Sequence, residues 1–184
     1  MSEAGTIRPH LFSAEEVLDR AALQHLVTAY CHGIDRRDYA LLRTLYHDDA
    51  IDDHTPYYYG SASGYIDWLP SMLATWKATS HSVGNMLFLI DGDQAEGEIG
   101  ARAWHLTLDG TREFIAWGRY VDRYERRGGI WRFLHRSFIL DHGVDRPVLT
   151  GSEHGAEGVG TGKAGPDDPV YARLPLLGKD RAQR

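Results

Sequence analysis

His81 and Asp35 are the two residues of this chain best suited by type and setting to move a proton between them. His81 opens the apolar part of the stretch Ala78 to Ile90, ATSHSVGNMLFLI. Extended, such a stretch places alternate side chains on one face. His81, Val83, Asn85 and Leu87 then point one way, and Met86, Phe88 and Ile90 the other. Both faces are largely apolar, so the sequence predicts a strand covered on both sides, with its histidine in a dry place where an imidazole needs a partner. Asp35, in the run Tyr30-Cys31-His32-Gly33-Ile34-Asp35-Arg36-Arg37-Asp38, is the candidate. A neutral imidazole with a pKa near about 6.5 is a suitable base at neutral pH. A carboxylate on its second nitrogen fixes the tautomer and stabilises the imidazolium that forms. The expectation is a base and its orienter meeting inside a pocket.

Other side chains would complete such a pocket. On a strand over Thr111–Glu125, Phe114, Ala116, Gly118 and Tyr120 share a face, and the small residues leave volume for a ligand. On the last strand Leu134, Arg136, Phe138 and Leu140 share a face. Trp68, Trp104, Trp117 and Phe88 are candidates for an aromatic lining that suits a ring-bearing molecule. Asn85, on the His81 face, and His105, which follows Ala101 and Ala103 in alternation, join the substrate-binding set. Each has a structural alternative. His81 could be a core histidine, Asp35 a cap on the turn after a helix, Arg136 a core arginine paired to Asp35 or Asp141, and Tyr30 a core tyrosine. His47-Asp48-Asp49 with Asp52-Asp53-His54 has the composition of a metal cluster, but the spacing fits no zinc or calcium template. It reads as a solvated acidic loop. Cys31, the single cysteine, reads as a small buried hydrophobe.

The elements that must position these residues follow from periodicity and punctuation. Residues 1–13 form an arm, ending in the capping-box pattern Ser13-Ala14-Glu15-Glu16. Val17, Ala21, Leu23, Leu26, Val27, Tyr30 and Ile34 predict an amphipathic helix from about Ala14 to Gly33. A short helix over Tyr39–Tyr46 and a short strand to Ile51 follow. Thr55–Gly64, with three consecutive tyrosines, reads as a loop that covers a pocket mouth or packs on the surface. Tyr65–Trp76 is helical, starting late or bending at Pro70. Then come strands over His81–Ile90, Glu96–Leu108, Thr111–Glu125 and Ile130–His142, joined by Asp91-Gly92-Asp93, Asp109-Gly110 and Arg127-Gly128-Gly129. Helices first and a paired sheet afterwards give an α+β layer fold over 14–142. Residues 143–184 read as an irregular tail with one anchored stretch near Val170–Leu177. The glycine-rich run Gly151–Gly165 has neither the preceding strand nor the spacing of a phosphate loop.

The 184 residues suit one domain with a real core. The formal net charge of −6 argues against a nucleic-acid binder. One cysteine excludes an intramolecular disulfide and CxxC-type zinc sites. The start, MSEAGTIRPHLF, lacks a basic-then-apolar leader, and no apolar run approaches the roughly 20 residues that cross a bilayer. The expectation is a cytoplasmic protein with no membrane partner.

Four motifs carry a family resemblance: Tyr30 with Cys31–Asp38, Leu45-Tyr46-His47-Asp48-Asp49-Ala50, Ser80-His81-Ser82-Val83-Gly84-Asn85, and Tyr124–Phe133. Together they resemble the SnoaL-like branch of the NTF2-like superfamily, over roughly residues 14–142. The resemblance implies a cone, with N-terminal helices packed on a curved, mostly antiparallel sheet that encloses a pocket. Within the branch the chain looks most like lindane dehydrochlorinase, bile-acid dehydratase and scytalone dehydratase, which use a His–Asp dyad. By that resemblance His81 is the dyad histidine, Asp35 the dyad aspartate, Arg136 a pocket arginine that stabilises negative charge, and Tyr30 a proton donor to a leaving hydroxyl. Where the dehydrochlorinase has a pocket tryptophan, this chain has Asp52, which speaks against halide release. The implied protein is a lyase without metal or organic cofactor, a homotrimer or homodimer acting on a hydrophobic aromatic or alicyclic small molecule in aromatic-compound catabolism. It would act by dehydratase-like elimination, or by retro-aldol cleavage that releases an aldehyde. The alternatives are a non-catalytic subunit, such as the small subunit of a ring-hydroxylating dioxygenase, or a ligand-binding module.

Overall fold

Ser13 accepts a hydrogen bond from the backbone N–H of Glu16 at 3.1 Å and starts helix α1, Ala14–Asp35, in the computed structural model, which describes residues 7–148 and 161–183. Glu16 does not close the capping box; its carboxylate instead takes His10 and Arg20. The buried stripe begins later than the periodicity suggests. Val17 and Ala21 are exposed, while Leu23, Leu26, Val27, Tyr30, Cys31 and Ile34 form the packed face. Asp35 is the last residue of α1, and Arg37, at φ 52°, turns the chain out of the helix. Asp38 then caps α2, Tyr39–Leu45, by accepting from Leu41 N–H at 3.0 Å. A Cβ at Gly33 would lie 2.6 Å from the Leu42 side chain, so glycine lets the two helices close.

Residues 46–61 depart from the expected short strand and loop. They form the hairpin of β1, Tyr46–His54, and β2, Tyr58–Ser61. Helix α3 spans Ala62–Leu73, capped by Ser61, with Pro70 inside it and Trp76 beyond it. Trp76 instead begins β3, Trp76–Asp91, followed by β4, Gln94–Thr107, β5, Arg112–Arg127, and β6, Ile130–Pro147. The sheet order is β2-β1-β6-β5-β4-β3, antiparallel throughout except for the parallel β1–β6 pair. The helices cover one face of this α+β sheet, and the core lies between them: α1 leucines, Tyr65, Ile66 and Leu69 of α3, and Ile99, Tyr120, Tyr124 and Phe133 of the sheet.

Two irregularities decide which side chains face inward. β3 and β4 slip register between Gly84 and Met86, where Asn85 sits at φ 40°. The bulge inverts the alternation. His81 and Val83 face the helices before it; Met86 and Phe88 do so after it, while Leu87 and Asn85 are exposed. The expected grouping of His81 with Asn85 and Leu87 is corrected accordingly. β6 carries a similar irregularity beside Arg123/Tyr124, so Trp131 and Phe133 are buried before it and Arg136 after it.

The last strand runs past His142, with Asp145, Arg146 and Pro147 paired to Phe114, Glu113 and Arg112. The C-terminal residues include two short helices, α4, Pro169–Arg173, and α5, Pro175–Ala182. They seat against the α1–α2 corner: Gly165 N–H donates to the Arg36 carbonyl at 3.0 Å, Arg181 pairs with Asp38 at 3.0 Å, and Tyr171 meets His32 at 3.2 Å. The N-terminal arm before Ile7 and most of the glycine-rich run lie outside the described residues. Among the described residues no helix is long and apolar enough to cross a membrane.

Candidate active site

His81 and Asp35 meet. His81 Nδ1 lies 2.7 Å from Asp35 Oδ1, and the His81 backbone N–H donates to Oδ2, also at 2.7 Å. Thr79 Oγ1 adds a third donor to Oδ1 at 2.9 Å. Both side chains are about nine-tenths buried, at 10% and 12% exposure. The geometry has a local cause. Thr79 and His81 are two apart on β3 and face the same way, and the end of α1 delivers the carboxylate between them. Arg37 braces the assembly through Thr79 Oγ1 at 3.0 Å and the Ile34 carbonyl at 2.8 Å. Burial pushes the Asp35 carboxyl up, but the bonds from the His81 ring, the His81 backbone and Thr79 outweigh it and hold the group below its ordinary value. Asp35 is therefore ionised at neutral pH, and the imidazole donates Nδ1–H to it.

The second ring nitrogen of His81 makes no hydrogen bond among the described residues, and the imidazole lines a cavity of about 670 Å³. Its wall is aromatic and aliphatic: Tyr30, Tyr65, Trp68, Trp76, Phe114, Tyr120 and Phe138 with Ile34, Leu69, Ala103 and Ala116. His105 and Arg112 also face it. This volume lies in the range of small-molecule pockets, and the lining is mostly apolar.

The sequence-predicted residues divide cleanly. His81, Tyr30, Trp68 and His105 line the cavity, and Asp35 stands behind His81. Tyr30 hydrogen-bonds Tyr65, hydroxyl to hydroxyl, at 3.0 Å. Burial raises both phenols well above their ordinary value, so each stays protonated. His105 packs against Trp76 and sits edge-on to His81 at 5.6 Å between ring centroids. Burial, with the neighbouring His81, lowers it to about 4, and its buried Nδ1 has no partner among the described residues. It is a neutral wall.

The other four expected lining residues face elsewhere. Trp104 follows Ala103 and so points to the outer face, donating Nε1–H to Glu113 at 2.6 Å. Trp117, between Ala116 and Gly118, is outward too, stacked on His142 at 5.8 Å. Asn85 is exposed at the bulge. Phe88 is inward but packs in the core against Tyr124, in space that Gly97 leaves open. At Gly118 the expected free volume is filled by the Phe138 ring.

Arg136 is also corrected. It is fully buried and pairs with Asp122 through Nε at 2.9 Å and Nη2 at 2.7 Å. Its guanidinium is 4.0–4.1 Å from the ring centres of Tyr30, Tyr120 and Phe133. It stands behind two tyrosines of the cavity wall and is not itself part of that wall. Burial opposes its charge, but Asp122 more than compensates and raises it well above its ordinary value.

The largest surprise is the segment expected to be a solvated acidic loop. Asp52 is fully buried. Its carboxylate accepts the Tyr46 hydroxyl at 2.8 Å and contacts His54 Nδ1 at 2.5 Å. His54 lines the same cavity as His81, stacked on Tyr65 at 4.9 Å. Two aspartates and a histidine within three residues look hydrophilic. The available signal was the alternation: Ala50, Asp52 and His54 share a face in extended chain, and Ala50 is fully buried.

The model of the SnoaL-like domain matches residues 15–137, and the chain belongs to that family. An uncharacterised Mycobacterium tuberculosis protein, Rv2910c, is 26% identical over 135 residues, 68% of this chain and 88% of that one. Among solved structures, hexachlorocyclohexane dehydrochlorinase LinA type 2 superposes with a TM-score of 0.69 at 22% identity, over 79% of this chain and 98% of its own. LinA type 3 from Novosphingobium barchaimii gives 0.66 at 21%, over 74% and 94%. A Novosphingobium aromaticivorans chain provisionally named a scytalone dehydratase gives 0.65 at 19%, over 72% and 91%. These likenesses establish the fold as NTF2-like α+β.

Proposed function

We propose that this protein is a cofactor-independent lyase that eliminates water from a hydrophobic, ring-bearing small molecule, with His81 as the base and Asp35 as its orienter. The observation that carries this is the paired hydrogen bond of Asp35 to the ring and backbone of His81, with the free edge of the imidazole on an aromatic cavity. His81 Nε2 takes a proton from carbon beside an electron-withdrawing group. The electron pair forms a carbon–carbon double bond and the hydroxyl leaves. Asp35 stabilises the imidazolium through Nδ1–H. The same base taking a hydroxyl proton would break a carbon–carbon bond and release an aldehyde. The names of the structural neighbours, a dehydrochlorinase and a provisional dehydratase, support elimination as the main course. Residues of the outer sheet face, among them Leu87, Trp117, Val121 and Ile139, expose apolar surface that suits assembly as a homotrimer or homodimer; a cytoplasmic location is part of the same proposal.

The test is a β-hydroxy-β-aryl ketone given to the purified protein, with conjugated enone read by ultraviolet absorbance and aryl aldehyde by chromatography. Turnover by the wild type and its loss in His81→Ala and Asp35→Asn, both folded by circular dichroism, supports the proposal. No turnover by the wild type, or full activity in either variant, overturns it and leaves the binding-module or subunit readings.

A further inference from the structure

We infer that His54, oriented by the buried Asp52, is a second catalytic residue: the acid that protonates the group receiving the electron pair. This rests on the lyase proposal above and adds to it the other half of the proton inventory. The juxtaposition is specific. Asp52 and His54 alternate inward on β1, which is held on one side by β2, with Asp52 opposite Gly60 and His54 opposite Tyr58, and on the other by β6, with Asp52 opposite Arg136. A fully buried carboxylate needs donors, and among the described residues Asp52 has two, the Tyr46 hydroxyl at 2.8 Å and His54 Nδ1 at 2.5 Å. The imidazole is clamped between rings: parallel to Tyr65 at 4.9 Å and 10°, parallel to Phe138 at 6.1 Å and 4°, and edge-on to Tyr120 at 6.3 Å. With Nδ1 engaged by Asp52, Nε2 makes no hydrogen bond among the described residues, and the ring lines the cavity that His81 also lines.

A histidine kept only to satisfy Asp52 would not need an edge on the cavity. The two pairs differ in origin, since one carboxylate comes from the end of α1 and the other from β1, yet each presents one imidazole to the same space. Of the tyrosines that contact the His54 ring, Tyr65 already shares its hydroxyl with that of Tyr30, at 3.0 Å.

The step balances with two imidazoles. His81 Nε2 takes the proton from carbon, the carbon–carbon double bond forms, and the carbon–oxygen bond breaks. The departing oxygen takes a proton from the His54 imidazolium through Nε2–H and leaves as water. His81 ends protonated and His54 neutral, and exchange with solvent restores both. No oxidant, reductant or metal enters.

Leaving-group dependence tests the assignment. Two probes are compared, the β-hydroxy-β-aryl ketone and its β-acetoxy counterpart, whose carboxylate leaves without needing a proton. General acid assistance is worth about 10²–10⁴-fold. His54→Gln should therefore lower kcat on the hydroxy probe about 10²-fold or more and on the acetoxy probe by less than about tenfold. His54→Phe, which keeps the stacking on Tyr65 and Phe138, should behave the same way, so a packing defect in one variant does not decide the outcome. His81→Ala should lose both probes. An equal loss on both probes in both His54 variants, or no loss on either, overturns the acid role while leaving the base intact. Activity of His81→Ala on the acetoxy probe instead overturns the lyase proposal beneath it.

Discussion

Two imidazole–carboxylate pairs face one cavity, and they are built in opposite ways. In the first, 46 residues separate the partners, and the carboxylate arrives at the end of α1 to collect three donors: the ring and backbone of His81 and the Thr79 hydroxyl. In the second, the partners are two residues apart on β1, and among the described residues Asp52 collects the Tyr46 hydroxyl and His54. Asp35 retains some solvent exposure at 12%, whereas Asp52 has none. A carboxylate held by three donors is fixed and ionised, which suits the orienter of an imidazole proposed to take up a proton. One held by two engages Nδ1 of an imidazole that is also stacked on Tyr65 and Phe138. A third imidazole, His105, hydrogen-bonds no carboxylate among the described residues, and burial keeps it neutral. Proximity to the cavity does not assign a role; the partner on the second nitrogen does.

If the partner decides, replacing each carboxylate should separate the pairs. Asp35→Asn should cost the most, lowering kcat on both hydroxy and acetoxy probes by about 10³-fold or more, because the base loses its tautomer and its counter-charge. Steady-state kinetics on the two probes checks this. Asp52→Asn should lower only the hydroxy reaction, by about 10²-fold, and leave the acetoxy reaction within about tenfold. The same loss on both would make the two pairs equivalent and erase the distinction.

His105 sharpens the contrast through stability. Its folded value of about 4 lies below its unfolded 6.5, so the unfolded chain binds more protons between those values. Its contribution to stability is intact above pH about 6.5 and falls as pH drops toward about 4, by roughly 3 kcal/mol across the window. Denaturant melts at several pH values should show that His105→Phe flattens this slope while kcat near neutral pH changes little. A slope left unchanged would mean that His105 is not held neutral by the fold. The smallest effect belongs to Thr79→Val, which removes one of the three donors on Asp35. A loss of about one hydrogen bond to a charged group, roughly 2 kcal/mol at most, should lower kcat up to about thirtyfold on both probes alike.

The contrast also marks what the sequence could express. The first pair was legible because an isolated histidine heads an apolar strand, and the run ending in Asp38 supplies a carboxylate at the end of an apolar helical stripe. The second was hidden because local composition, Asp-Asp-Ala-Ile-Asp-Asp-His, argues for solvent, while its burial is imposed by strands β2 and β6 that pair with it from elsewhere. Helix α1, the hairpin turns and the α+β order follow from periodicity and glycine signals. The inward set failed wherever a bulge reset the alternation. Asn85 on β3 is the clearest case, since one extra residue moved Phe88 inward and sent Asn85 and Leu87 out. Trp104 and Trp117 suit a lining by their chemistry, but the parity set by His105 and Ala116 points them outward. Arg136 was expected at the ligand, but Asp122, whose register opposite Arg136 no local pattern reveals, holds it behind Tyr30 and Tyr120. Of the grip of α4 and α5 on the Arg36–Asp38 corner, the sequence shows an anchored stretch and not the contacts that hold it.

The proposed base can be watched without any leaving group. A β-aryl ketone that lacks the hydroxyl cannot eliminate, but in deuterium oxide a base at the cavity exchanges the protons beside its carbonyl, and proton magnetic resonance follows their disappearance. Exchange catalysed by the wild type and by His54→Gln, and lost in His81→Ala and Asp35→Asn, is the predicted result. Exchange that persists at the wild-type rate without His81 would contradict it.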